Sequence, residues 1–169
     1  MISTEKRIIQ WLRDAHGMEE QAQTMFQAEA NRIRNYPEFH EKIEEARQRS
    51  RRQAERISSC IERHSSTTSM VKDTIGRVIA LGQGLSGSFV GDEVIKAALA
   101  IYTFEHMKIG SYTILAFTAQ QAGDAQTEKI CREIVGEEEQ MAEWIAQHMQ
   151  VLVERYLRLE DTPGAIAKH

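Results

Sequence analysis

Three glutamates hold most of the chemical interest of this sequence: Glu19, Glu105 and Glu138. Each lies inside a long helical pattern at a position where the apolar spacing calls for a buried side chain. An ionised carboxylate is costly to bury, and a metal ion or a cationic side chain is the usual remedy. Carboxylates joined by histidines could hold redox metals inside a helical bundle. Paired with cations instead, they would form a structural ion network. His16 and His106 lie near two of these acids, and histidine is a common metal ligand. A residue adjacent to an inward position points about 100° away around a helix, so both histidines are expected on helix flanks.

Other chemistries have less support. Cys60 and Cys131 fall in different helices and lack the basic surroundings that activate a thiol, apart from Arg132. They read as free core thiols in a reducing compartment. Gly82-x-Gly84-x-x-Gly87 has the letters of a dinucleotide-binding turn, but no strand precedes it, so it reads as a glycine-rich connection. Arg47, Arg49, Arg51, Arg52 and Arg56 are interleaved with Glu44, Glu45 and Glu55, as on a solvated helix face. A net charge of −4 and a pI near 5.9 argue against nucleic acid as a partner.

The elements that must position the acids are helices. With 41% hydrophobic and 27% charged residues over 169, the chain can bury one substantial core and is unlike a disordered or membrane protein. No apolar run approaches the ~20 residues of a membrane span. The N-terminal residues enter a helical pattern directly, without the features of a secretory signal, so a cytoplasmic location is expected.

Apolar residues recur at helical spacing from Ile8 to Ile33, and Pro37 stops that helix. A second helix is predicted over 38–63, and a short one over 70–81 after a polar break. The glycine-rich connection 82–91 follows. Asp92 can cap a third helix running to Ala122, Gly123 ends it, and Asp124 caps a fourth reaching about Leu159. Residues 161–169 read as a flexible tail.

Two tight helical hairpins joined by a long connection make an all-α, ferritin-like four-helix bundle over residues 1–160. Glu19 lies eighteen residues before Pro37 and Glu105 eighteen before Gly123, so both acids are expected at one level of the bundle.

Several stretches carry a family resemblance, in order along the chain: Trp11-Leu12-Arg13-Asp14-Ala15-His16, Met18-Glu19, Asn35-Tyr36-Pro37-Glu38, Val71-Lys72-Asp73, Phe104-Glu105, Ser111-Tyr112-Thr113, Ala122-Gly123-Asp124 and Gln140-Met141-Ala142 before Trp144. The chain resembles the YciE/YciF family of bacterial ferritin-like stress proteins over essentially its whole length. The resemblance implies a dimer, a cytoplasmic location and an association with stress. It brings no established biochemical activity.

In that family a His-x-x-Glu-Thr pattern faces the site from the second helix, and its positions here are Ala46, Arg49 and Ser50. The third helix usually offers two glutamates three residues apart; here they are Glu105 and Lys108. Glu19 is retained, and Glu138 is carried over as the inward acid of the fourth helix, with Glu137 close behind. Cations thus replace two ligands of a di-metal site. The expectation is a vestigial site in which Arg49 and Lys108 neutralise Glu19, Glu105 and Glu138. Removing Arg49 is then expected to strand a buried charge.

The function expected is that of a non-catalytic stress-associated protein acting through homodimer or partner contacts, without cofactor, nucleic acid or membrane. The alternative is a di-iron or di-manganese protein with oxidative or peroxide-handling activity, which rests on fold analogy.

Overall fold

A computed structural model describes residues 3–67 and 93–167. Four helices account for nearly all of them, and no strand occurs among the described residues. Helix α1 spans Thr4–Arg32. Ser3 caps it, its hydroxyl accepting from the Lys6 N–H at 3.4 Å, and Glu5 and Arg32 complement the helix dipole at the two ends. Helix α2, Pro37–Thr67, begins on a proline, whose missing N–H costs nothing in the first turn.

Helix α3 is Glu93–Gln121 and α4 is Ala125–Glu160. Gly123 makes the tight turn between them at φ +74°, a left-handed conformation that favours glycine. Asp124 then caps α4, its carboxylate accepting from the Thr127 N–H at 3.1 Å. The short helix predicted over 70–81, the glycine-rich connection, Phe89, Val90 and the Asp92 cap lie outside the described residues.

Contacts between the bundle ends fix the helix directions. At the end of α2, Arg63 and His64 reach Asp124 at the start of α4, at 3.1 and 2.8 Å. Asn35 and Tyr36, just before α2, bond the Ile166 and Ala167 carbonyls beyond the end of α4, at 2.9 and 2.6 Å. Helices α2 and α4 are therefore antiparallel, and α2 and α3 run in the same direction, as in a ferritin-like bundle. The two latter bonds also tie down residues through Ala167, where the sequence suggested a loose tail. Carbonyls beyond α4 meet side-chain donors on the α1–α2 turn, and composition does not record such a contact.

The core forms where the four apolar faces meet, with Ile8, Leu12, Phe26, Ile57, Ile101, Phe104, Leu115 and Ile134 fully enclosed. Each such side chain contributes ~1.5–3 kcal/mol through burial. Hairpin α1–α2 meets hairpin α3–α4 through α1 against α3 and α2 against α4. Among the described residues, no helix is long and apolar enough to cross a membrane.

Candidate functional site

Polar side chains interrupt this core at one level. Glu19 lies thirteen residues before the end of α1, and Glu105 twelve after the start of α3. These helices are antiparallel, so at 1.5 Å per residue the two acids face each other near the middle of the bundle. Glu138 joins them from α4. All three are essentially inaccessible to solvent, and so is Lys108, one turn beyond Glu105.

The Lys108 ammonium lies at the centre. Its Nζ is 2.9 Å from Glu19 Oε2 and 3.1 Å from Glu138 Oε2. It donates to Ser50 Oγ at 3.2 Å and to Gln53 Oε1 at 3.0 Å. The Tyr112 hydroxyl donates to the other Glu19 oxygen at 2.7 Å. Gln53 turns its amide nitrogen to Glu138 and, at 2.7 Å, to Glu137. Gln53 thus accepts from the lysine and donates to the acids, and this fixes its orientation.

Glu105 is the exception. Both of its oxygens are buried with no hydrogen-bond partner among the described residues. Burial raises the Glu105 carboxyl well above the usual carboxylate range, and the neighbouring Glu138 carboxyl raises it further. Burial also opposes ionisation of Glu138. There, however, Lys108, the neighbouring Glu105 carboxyl and the hydrogen bond from Gln53 prevail and hold it below that range. Burial thus favours the neutral form of Glu105, while Lys108 favours the ionised form of Glu138. Burial raises Glu19 as well, against the opposing pull of Lys108. For Lys108, burial favours loss of its proton, but Glu19, Glu138 and Glu105 together outweigh it and keep the ammonium charged.

The other expected positions are arranged differently. Ala46 is buried on the α2 face that carries Ser50 and Gln53. Arg49 forms no ion pair with the three acids: its half-buried guanidinium donates to the Glu137 carbonyl at 3.2 Å. Arg49 therefore does not neutralise the three acids by direct pairing, contrary to the expectation from sequence. At position 49 the side chain leaves α2 toward the α2–α4 seam, and Lys108 on α3 reaches the centre. Its charge still favours ionisation of Glu105 and Glu138. Glu138 is the inward acid, while Glu137 lies in the seam, 2.7 Å from Arg56, which also holds Glu133 at 2.6 Å. Both histidines face away: His16 approaches Glu20 at 3.8 Å, and His106 is exposed against Tyr102.

Ser50, Gln53 and Tyr112 complete the constellation, although the spacing of acids did not point to them as site residues. Helical periodicity carries a signal for them. Gln53 lies seven residues after Ala46 and Tyr112 seven after Glu105, two turns along the same face.

Among the described residues, no three His, Cys, Asp or Glu side chains are grouped so as to hold a metal ion. A lysine ammonium donates three hydrogen bonds and offers no lone pair, so Lys108 cannot serve as a ligand while charged. As arranged, the residues do not fit a di-metal centre.

The profile of a protein family described as "Domain of unknown function (DUF892)" matches residues 3–158. The chain belongs to the DUF892 family. A solved structure from Xanthomonas campestris pv. campestris is 31% identical, with a TM-score of 0.78 and 94% of this chain and 99% of that chain covered. The E. coli stress protein YciF is 23% identical, with a TM-score of 0.76 over 92% and 99% of the two chains. YcfI from Rhodopseudomonas palustris shares the fold at 14% identity, with a TM-score of 0.72 over 86% and 94%. This DUF892 chain therefore groups with the YciE/YciF proteins, and its bundle is the ferritin-like one that they share.

Proposed function

We propose that this protein is a non-catalytic, cytoplasmic, stress-associated member of its family that acts through contacts between copies of its own chain. In this reading the central polar cluster is the remnant of a di-metal site. The observation that carries it is the position of Lys108, whose buried ammonium spans Glu19 and Glu138 at 2.9 and 3.1 Å. A fixed cation there supplies charge balance that a bound metal would otherwise provide. It offers no redox couple and no open coordination position.

The exposed face of α3 supports the self-association. Leu99, Ile114 and Phe117 are 50, 55 and 60% accessible, and α3 has no charged side chain from Ile109 onward. Apolar surface of this kind marks protein contacts.

Metal analysis of protein purified without chelators tests the central claim. The expected content of iron and manganese is well below one ion per chain. A content of about two redox-active ions per chain, as in di-metal bundles, would overturn this reading in favour of a di-iron or di-manganese protein. Sedimentation of Phe117→Lys tests the second part, with dissociation of the dimer as the expected result.

A further inference from the structure

The α1–α2 turn, the last turns of α4 and the residues after it border a second feature, at the end of the bundle. It lies ~20 Å from the glutamates, judged by the thirteen residues of α1 between Glu19 and Arg32. A shallow cleft of about 420 Å³, largely open to solvent, lies between the turn and the returning chain. Ligand clefts typically measure roughly 300–1,000 Å³. Its charged lining residues are Arg34 and Arg155, and no acid contributes to its wall. Pro37, Leu159 and Ile166 supply an apolar surface, and Ile166 remains 58% accessible there.

The walls are held in place from several sides. Asn35 donates to the Ile166 carbonyl at 2.9 Å, and the Tyr36 hydroxyl donates to Ala167 at 2.6 Å. The Arg155 guanidinium lies over the Tyr36 ring, 5.6 Å from its centre, which limits the directions it can take. Two guanidinium groups beside an apolar wall form a recognisable combination. Guanidinium forks match the geometry of carboxylate and phosphate oxygens, and the apolar wall needs a ligand with carbon to bury.

We propose that this cleft binds a small amphiphilic oxyanion, with a carboxylate or phosphate head between Arg34 and Arg155 and a short apolar body against Pro37, Leu159 and Ile166. The site is independent of the central ion cluster and would hold whether or not the protein carries metal.

Titrating the full-length protein with hexanoate, hexyl phosphate and inorganic phosphate, followed by amide NMR, tests it. Saturable shifts are expected at Asn35, Tyr36, Ala165 and Ile166 with either hexyl compound. Inorganic phosphate should bind at least about tenfold more weakly, the equivalent of ~1.4 kcal/mol of apolar contact. If hexanoate alone or hexyl phosphate alone binds, the head group is identified within the proposed class. Arg34 is exposed, so Arg34→Glu should fold normally while abolishing the shifts. The proposal is overturned if neither hexyl compound produces saturable shifts, if inorganic phosphate binds as well as they do, or if folded Arg34→Glu binds them unchanged.

Discussion

The ammonium of Lys108 lies 2.9 Å from Glu19 Oε2, with both side chains buried at the centre of the bundle. Removing one partner of a buried ion pair leaves the other uncompensated, at a cost of ~3–5 kcal/mol. Lys108→Met should lower stability by about that amount in urea unfolding. Arg49→Met, which loses a bond to a backbone carbonyl, should cost only about 1 kcal/mol. Equal costs for the two substitutions would contradict the central place given to Lys108.

The carboxyls of Glu105 and Glu138 should respond in opposite ways to neutralisation. Glu105 is held well above the usual range, so its contribution is present at low pH and declines as pH rises through its folded value. Glu138 is held below that range, so its contribution is present at neutral pH and lost on acidification. Glu105→Gln should therefore be tolerated within about 1 kcal/mol at neutral pH and should flatten the decline in stability with rising pH. Glu138→Gln should cost ~3 kcal/mol or more, because Lys108 loses a buried partner. Urea midpoints from about pH 3, below the ordinary carboxylate range, to about pH 9 would reveal the asymmetry or its absence.

Asp124 joins the two hairpins through Arg63 and His64 and also caps α4. Burial works against its ionised form, but Thr127, His64 and Arg63 prevail and lower it to about 2. A lowered carboxylate stabilises the fold above its unfolded value and loses that contribution as pH falls toward the folded one. Asp124→Ala should cost ~1–2 kcal/mol at neutral pH through the lost cap. It should also weaken the acid dependence between about pH 4, the unperturbed aspartate value, and pH 2. Thermal unfolding of both proteins at several acidic pH values measures this difference.

Restoring the lost donors should restore metal binding if the positions are assigned correctly. The triple variant Ala46→His, Arg49→Glu, Lys108→Glu removes the central ammonium, puts a histidine and a carboxylate at the buried positions 46 and 108, and places a second carboxylate at position 49 on the edge of the α2–α4 seam. Cobalt(II) titration should then show d–d absorption bands that the parent protein lacks. Identical spectra for parent and variant would count against a vestigial metal site.

How much of this was legible in the sequence differs between fold and site. Pro37, Gly123 and Asp124 mark the helix ends through local backbone chemistry, so the two hairpins could be read directly. The depth of Glu19 and Glu105 followed from counting turns, because helical rise is nearly constant. The packing of residues up to Ala167 on the α1–α2 turn could not be read, since it pairs groups about 131 residues apart.

The sequence by itself determined an all-helical bundle with three acids and two cations near one level, because helical period and chain turns are local properties. Only the tertiary structure decided which cation reaches the acids. Position 49 directs its side chain into the α2–α4 seam, whereas position 108 directs its own into the interior, where Ser50, Gln53, Glu19 and Glu138 surround it. The rotation of each helix about its axis settles that choice, and packing among all four helices sets the rotation.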